Sequence, residues 1–331
     1  MRIGINPNNH KNIDLSMKGH RVIIPVYIPN FEGYFKDSLN VFKICIESLI
    51  KTINSDIAVT VISNGSCLEV NNYITDLYKA NKIDKAVFNK ENIGKMNAIM
   101  SETRACFEDF ITYSDADVFF DKGWLKETFE IFKTIPKAGF VSLNPTPGHF
   151  SYSNSTLLSN INLFFKKSKI TKEVCNFEDL LHFNTSIGKD LDFTEKKYNS
   201  KIYSIEKGNK RVILGAGHFC CTIRRNPTLK YVPLEYSKKG VSGGSEAKYL
   251  DEPFDKTGLL RLSSTKAFVW HMGNILENSW AREKIKSLET FKEQDFSFNL
   301  IPEKSTTLIN RLVPYFIIKR TVGVLKKIKF I

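Results

Sequence analysis

Two aspartates, Asp115 and Asp117, are the residues of this 331-residue sequence whose types and spacing best suit chemistry. They lie within residues 110–120, FITYSDADVFF, where a run of β-branched and aromatic side chains predicts a buried strand that ends at the first aspartate. Ligands of open α/β sheets bind at the carboxyl ends of the strands. Two carboxylates there can hold a hard divalent cation, and the cation can hold a diphosphate.

The same Asp-x-Asp spacing occurs again at Asp190 and Asp192, so the spacing alone does not define a site. The second copy lies in a polar segment with no strand before it, and we predict a solvated loop there. For Asp115 and Asp117 the alternative is a strand-end turn capped by an aspartate. The elements on either side favour the metal site.

Strand and helix patterns alternate along the first half of the chain. This alternation is typical of an α/β fold with a mostly parallel sheet and helices on both faces. Strands are predicted at residues 21–29, 57–62, 85–88, 110–114 and 139–143, and helices at residues 37–54, 68–80, 95–106 and 123–134.

The second half of the chain is less regular. Residues 145–210 are rich in Ser, Asn and Lys with weak periodicity, and such long insertions are usually lids, binding loops or disordered. A strand-like run returns at residues 211–225, RVILGAGHFCCTIRR, whose glycines mark either the close approach of a ligand or backbone or a bulge. Another strand, 267–270, delivers His271, and an amphipathic helix is predicted at 279–294.

The composition suggests a partner with negative charge. The net charge is +13, which suits a nucleotide diphosphate, an anionic membrane surface or a nucleic acid. Six cysteines without a CxxC pair predict buried reduced thiols of a cytosolic protein rather than a disulfide or zinc framework. The polar N-terminus lacks the core of a signal peptide, and the sequence has no apolar run long enough for a bilayer span.

The C-terminal residues 311–331 combine six basic residues and many apolar ones with no acid. Such a segment can lie in a membrane interface, or it can pack on the domain as a helix, and the sequence leaves both open. We therefore expect a cytoplasmic protein that in the first case attaches peripherally to the inner face of the cell membrane.

In order and spacing, these segments resemble the bacterial family 2 glycosyltransferases of GT-A fold. The resemblance is carried by VIIPVY, the NGS turn, NIGKMNA, YSDADVFF, GAGHFCCTIRR and the acidic stretch before WHMGN. It implies a Rossmann-like α/β fold with a mostly parallel central sheet, helices on both faces and a C-terminal helical extension. We expect a GT-A domain at 1–274 and the extension at 275–331. Within the GT-A domain, the expected regions are a nucleotide-sugar half (about 21–144), an insertion (about 145–210) and an acceptor half (about 211–274).

The resemblance also implies a donor site for a nucleotide-diphosphate sugar. Many relatives read uracil with an aspartate, and here that position is Ser63, so the base stays open. Asp115 would touch the ribose or sugar and, together with Asp117, the metal. The other implied nucleotide contacts are Pro25, Val26 and Tyr27 around the base and ribose, Asn64 after the second strand, and Asn92, Lys95 and Asn97 beside the phosphates.

His271 matches a histidine that completes the metal site in some relatives. Carboxylates suit magnesium or manganese, whereas imidazole prefers later metals, so a set of Asp117, His271 and diphosphate favours Mn²⁺ slightly over Mg²⁺. The alternative for His271 is a strand-end histidine hydrogen-bonded to the backbone. A divalent cation there would stabilise the charge that gathers on a departing diphosphate.

The base that activates the acceptor is less defined. In the family it is often the second residue of a Glu-Asp pair, and here the pair is Glu246 and Ala247, so the usual aspartate is missing. The candidates are Asp251, ranked first, then Glu252 and Glu246, with Asp255 nearby. The alternative for each is a solvated acidic loop position, and for three of the four that alternative must hold.

The sequence thus predicts an inverting, metal-dependent glycosyltransferase that moves a sugar to a hydroxyl of a glycan or glycolipid in bacterial surface polysaccharide synthesis. Without transmembrane helices or a QxxRW motif, it should add one sugar per encounter. The alternatives are a sugar nucleotidyltransferase, which needs a Gly-rich loop where this chain has residues 25–27, and a non-catalytic basic binding protein. A dinucleotide oxidoreductase would need GxGxxG, and no nucleic-acid motif is present.

Overall fold

The computed structural model describes residues 3–6, 18–147, 149, 170–172, 175–199, 202–240, 244–276, 280–289 and 315–327. Its strands within these ranges are β1 (His20–Val26), β2 (Ile57–Asn64), β3 (Lys85–Asn89), β4 (Phe110–Ser114), β5 (Val118–Phe120), β6 (Ala138–Ser142), β7 (Ile170–Lys172), β8 (Tyr203–Lys207), β9 (Lys210–Leu214), β10 (Cys220–Arg224), β11 (Leu260–Ser264) and β12 (Val269–His271).

The helices lie between these strands and after them. A 3-10 turn, Gly33–Phe35, precedes the first helix, and a π-helical turn, Ala247–Asp251, runs directly into the eighth. The α-helices are α1 (Ser38–Lys51), α2 (Leu68–Lys79), α3 (Lys95–Ala105), α4 (Trp124–Thr134), α5 (Phe177–Ser186), α6 (Leu191–Tyr198), α7 (Arg225–Leu229), α8 (Glu252–Thr257), α9 (Trp280–Lys286) and α10 (Tyr315–Lys327).

One large sheet, with strand order β3-β2-β1-β4-β10-β6-β11-β9-β8-β7 in the described part, forms the centre. Its first four strands are parallel, with His20 of β1 opposite both Ile57 of β2 and Phe110 of β4. Every residue of β2 and β4 is buried, as a parallel strand covered on both faces requires. The carboxyl ends of β1, β2 and β4 therefore meet at one edge, and the predicted α/β class is confirmed.

Helices cover both faces of the sheet because alternate strand residues point to opposite sides. Val22 and Ile24 of β1 join the apolar cluster that contains α1, α2 and α4. Ile23 joins a second cluster with Met96 of α3 and Phe254 of α8. Helices α1, α2 and α4 each bury one apolar stripe, which supplies most of their stability.

The acidic stretch ahead of His271 is helical, and the prediction of a loop there is wrong. Residues 247–257 form the π-helical turn and α8, and Asp251 and Asp255 are buried within them. The run 211–225 is two strands, β9 and β10, rather than one. The strand β11 was not predicted, because three of its five residues are charged or polar and so short a run gives little periodicity; it pairs parallel to β6.

The described part of the insertion extends the sheet. Strands β7 and β8 add to its edge, and α5 and α6 follow one another across residues 177–198. Asp190 accepts a hydrogen bond from the backbone N–H of Phe193 at 2.8 Å and so caps α6. The predicted solvated loop at Asp190 is therefore the start of an exposed helix. Much of the stretch 148–169 lies outside the described residues.

The C-terminal region is helical where it is described. Helix α9 falls within the predicted helix, whose last residues, 290–294, lie outside the described part. Helix α10 exposes Phe316, Ile317 and Val324. Among the described helices, none has both the length and the apolar character needed to cross a bilayer. All six cysteines are free thiols, and five are buried, as predicted.

Candidate functional site

A cavity of about 330 Å³ opens at the carboxyl ends of β1, β2 and β4. Aromatic side chains line part of it: Tyr27 and Phe35 meet edge to face with centroids 5.8 Å apart, and Tyr34 packs on Phe35 in the same way. Such a wall suits a planar heterocycle. Seven of the eight residues that the resemblance assigned to the nucleotide line this cavity, namely Pro25, Val26, Tyr27, Asn64, Asn92, Lys95 and Asp115.

An asparagine cluster shapes the middle of the cavity. Asn64 donates to Asn92 at 2.9 Å and accepts from Asn89 at 3.1 Å. Gly65, which follows at φ +82°, allows this approach, since a Cβ there would lie 2.6 Å from the backbone nitrogen of Asn92. The turn after β2 is therefore fixed against the segment that precedes α3.

Two residues of the predicted donor region point elsewhere. Ser63, at the position where relatives read uracil, is buried and hydrogen-bonds Asn71. Asn97 does not line the cavity; its side chain bonds both the backbone N–H and the carbonyl of Ser237, at 2.6 and 2.9 Å. Asn97 thus ties the loop after α7 to helix α3.

Lys95 places a positive charge on the cavity wall. Its Nζ lies 2.6 Å from Oδ1 of Asp115 and 3.0 Å from Oε1 of Glu246. Burial alone would lower the pKa of Lys95, but the two carboxylates outweigh burial and raise it. The ammonium therefore stays charged, as an anion-binding group must.

Asp117 and His271 form a second pair at the same edge. Oδ2 of Asp117 lies 3.3 Å from Nε2 of His271. Oδ1 of Asp117 and Nδ1 of His271 are both buried without a hydrogen-bond partner in the described part of the chain. Burial raises the pKa of Asp117, and the nearby His271 opposes that rise. A buried carboxylate oxygen without a donor is costly, so this pair fits a ligand that supplies positive charge.

The pair also fits a divalent cation by its chemistry. One carboxylate and one imidazole give two ligands, and no cluster of three or more His, Cys, Asp or Glu suited to a metal occurs among the described residues. Magnesium-like cations are commonly held by one or two carboxylates together with substrate phosphates. The remaining ligands would thus come from a diphosphate and water.

Aromatic rings hold His271 in place. In the two-stranded sheet His271 is opposite Val118, so β12 sets it beside Asp117. Its ring meets Phe219 and Phe183 edge-on, at 5.6 and 6.0 Å between centroids, and these two phenyl rings stack on each other at 5.0 Å. Phe183 comes from α5, which was not predicted; the N-cap Asn176 and the acidic first turn with Glu178 and Asp179 are the sequence signal that could have found this helix. The insertion therefore helps to build the site.

The acidic base candidates have different surroundings. The side chain of Asp251 is 4% exposed and is bound by Arg261 and by Nε2 of His218 at 2.8 Å. The side chain of Glu246 is 24% exposed and lies between Lys95 and Nδ1 of His218, which is 3.4 Å away. Glu252 is partly buried at the first position of α8. Glu246 thus contacts Lys95, a residue that lines the cavity.

This cluster shifts the pKa values of its members. Burial alone would lower the pKa of His218, but Asp251 and Glu246 raise it to about 9. Burial alone would raise the pKa of Glu246, yet His218 and Lys95 lower it to about 2. The pKa of Asp251 is lowered as well, since Arg261 and His218 outweigh the effect of burial. His218 was not predicted, because the glycines at 215 and 217 are the local signal in this run and a single histidine beside them does not reveal its distant partners.

Comparison with known proteins places the chain. The profile described as Glycosyl transferase family 2 matches residues 22–187, half of the chain, and no curated protein matches it. Similar solved structures include the mannosyltransferase PcManGT from Pyrobaculum calidifontis with GDP-Man and Mn²⁺, at 12% identity and TM-score 0.41 over 78% of this chain and 59% of that one. Another is S. aureus TarS 1–349 with UDP, at 12% identity and TM-score 0.41 over 81% and 63%.

The chain thus spans less than two thirds of the length of these solved structures. The family profile covers the parallel strands and the Asp115–Asp117 segment that form the cavity. On that match, the chain belongs to glycosyl transferase family 2, and its α/β fold is of the GT-A type.

Proposed function

We propose that this protein is an inverting, metal-dependent glycosyltransferase that moves a sugar from a nucleotide-diphosphate donor to a hydroxyl of an acceptor. One observation carries the proposal. The buried Oδ1 of Asp117, which has no hydrogen-bond partner among the residues that the structure describes, lies beside a cavity that is also lined by the charged Lys95. A diphosphate with its cation supplies what both groups need.

Within this proposal the cavity orders the donor from end to end. The base lies at the aromatic end formed by Tyr27 and Phe35, and the diphosphate lies toward Lys95. Asp117 and His271 would hold the cation, which would stabilise the charge on the leaving diphosphate. Asp115, held by Lys95, is placed to contact the ribose or the sugar. The Mn²⁺ preference follows from the mixed oxygen and nitrogen donors.

Inversion requires the acceptor oxygen to attack the sugar on the face opposite the diphosphate. The acceptor oxygen forms a bond to the anomeric carbon while the bond from that carbon to the diphosphate oxygen breaks. A carboxylate must take the hydroxyl proton. Asp115 and Asp117 are committed to the leaving-group side, so Asp251, Glu252 and Glu246 remain the candidates.

For the acceptor we propose a glycan or glycolipid of surface polysaccharide synthesis. The net charge and helix α10 support a setting at an anionic membrane surface. Phe316, Ile317 and Val324 are exposed on that helix together with the basic residues Arg320 and Lys327. Such a combination binds a lipid interface by apolar burial and by charge.

A panel of ligands tests the proposal by thermal shift. Nucleotide-diphosphate sugars should raise the melting temperature with Mn²⁺ and much less without it, because the cation completes the site. A shift produced by nucleoside triphosphate with sugar phosphate, but by no nucleotide sugar, would favour a nucleotidyltransferase. A shift with nucleic acid alone would favour a basic binding protein, and either result would overturn the proposed function.

A further inference from the structure

The structure places His218 where it can control the proton-accepting carboxylate. We propose that His218 is a positioning residue for Glu246, which takes the acceptor proton, and that Asp251 acts by holding His218 rather than as the base. This inference rests on the proposed glycosyl transfer and names the base that this transfer requires.

A line of alternating charges connects the cavity to the protein interior. Lys95 on the cavity wall lies 3.0 Å from Glu246, Glu246 lies 3.4 Å from Nδ1 of His218, and Nε2 of His218 lies 2.8 Å from Asp251. Arg261 ends the line at Asp251. Each carboxylate is thus held between two cations, which fixes its orientation.

Access separates the two carboxylates. A base must come within hydrogen-bond reach of the hydroxyl that it deprotonates. Asp251 is closed off by Arg261 and His218, and only 4% of its side chain is exposed. Glu246 is more open and touches Lys95, which lines the cavity. The acceptor can therefore reach Glu246 but not Asp251.

The backbone explains why both carboxylates meet one imidazole. Residues five apart lie on different faces of a regular α-helix, which has 3.6 residues per turn. The π-helical turn Ala247–Asp251 widens the spiral, so Glu246 and Asp251 come to one face and reach the two nitrogens of His218. Single π turns within helices are rare and frequently occur at functional sites.

The charges around His218 and Glu246 give the arrangement a pH response. His218 faces Glu246 and Asp251 on one side, and on the other the ring of His149, 6.1 Å away between centroids, and that of Phe140. The paired carboxylates keep His218 protonated at neutral pH. In the free protein the pKa of Glu246 is low, near 2, because Lys95 and His218 both hold it.

Donor binding should make Glu246 a better base. Lys95 lines the cavity, so a diphosphate that engages Lys95 weakens its attraction for Glu246 and raises the pKa of that carboxyl group. The hydroxyl proton then passes to Glu246 as the acceptor oxygen bonds to the anomeric carbon, and the electron pair of the broken bond leaves with the diphosphate. His218 keeps the carboxylate aimed at the acceptor throughout.

The test compares pH profiles of kcat/KM for the parent and Asp251→Asn, with Mn²⁺ and a donor found by the ligand panel. Without Asp251, the pKa of His218 should fall from about 9 toward the ordinary 6.5. Activity should then persist at pH 6, where His218 is still largely protonated. As the pH rises, Asp251→Asn should lose activity at a lower pH than the parent does. A uniform loss of about 100-fold or more at every pH would identify Asp251 as the base and overturn the proposal.

A second variant guards against misfolding caused by loss of the ion pair between Asp251 and Arg261. His218→Gln removes one of the two cations that hold Glu246. The acidic limb of the variant's pH profile should therefore move to higher pH, and its kcat should fall. The donor Kd should stay at the parental value. An unshifted acidic limb would show a merely structural role and overturn the inference. Glu206→Gln, an exposed carboxylate-to-amide change on β8, is the matched control. Failure of the parent protein to bind any nucleotide-diphosphate sugar would instead contradict the proposed function.

Discussion

Because of the ion pairs of His218, the free energy of unfolding of this protein should decrease as the pH rises from neutral to alkaline values. A histidine whose pKa is raised by folding stabilises the folded state wherever the folded protein holds a proton that the unfolded chain has lost. That stabilisation is complete below the unfolded pKa and disappears as the pH rises through the folded pKa. For His218 these two values are 6.5 and about 9.

The expected magnitude follows from this difference. Each unit of pKa shift corresponds to about 1.4 kcal/mol, so the protonated His218 contributes roughly 3 kcal/mol below pH 6.5, lost progressively up to pH 10. Asp251 and Glu246 have lowered pKa values and stay ionised across this window. Of the three groups, His218 alone changes its charge there.

Urea unfolding of the parent and of His218→Gln at pH 6, 8 and 10 measures the effect. Buried thiols also destabilise the fold at high pH, but both proteins share them, so the difference between the two free energies of unfolding isolates His218. That difference should shrink by about 3 kcal/mol between pH 6 and pH 10. His182→Gln is the control. Burial lowers the pKa of His182, so the difference in free energy of unfolding between the parent and His182→Gln should not shrink over this pH range. A constant difference for His218→Gln would refute the charged network.

Two further predictions concern the turn after β2, which contains Gly65, and the C-terminal residues 311–331. Gly65→Ala should lower the free energy of unfolding by about 1–3 kcal/mol more than Gly188→Ala does. Both glycines have positive φ, but only at Gly65 would the added Cβ press against backbone atoms. Equal losses of the two variants in urea unfolding would contradict this prediction. Deletion of residues 311–331 should reduce co-sedimentation with anionic vesicles by removing apolar and basic contacts. A truncated protein that sediments as well as the parent would show that the tail does not bind the membrane.

The parallel half of the fold could be predicted from local sequence alone. Continuous apolar runs such as β2 and helical spacing such as that of α1 are local signals, and the packing confirms both. The position of Asp115 and Asp117 followed from the rule that parallel strands present their carboxyl ends at one edge. These features need no knowledge of distant residues.

The surroundings of Glu246 and Asp251 could not be predicted in this way. The stretch around Glu246 and Asp251 is polar and glycine-flanked, which is typical of a loop, yet Asp251 is buried because Arg261 and His218 neutralise it. Those partners come from other strands or loops, and only the tertiary structure brings them together. Phe183 likewise gains its contact with His271 from the insertion, whose apolar periodicity is weak.

The most direct measurement of the central claim is Mn²⁺-dependent binding of a nucleotide-diphosphate sugar by isothermal calorimetry. The parent should bind with Mn²⁺ and much more weakly without it. Asp117→Asn and His271→Ala should lose the Mn²⁺ dependence while keeping the parental fold. Asp190→Asn, which alters the other Asp-x-Asp copy and retains a good helix cap, should behave as the parent does. Parental Mn²⁺-dependent binding by Asp117→Asn would contradict the account.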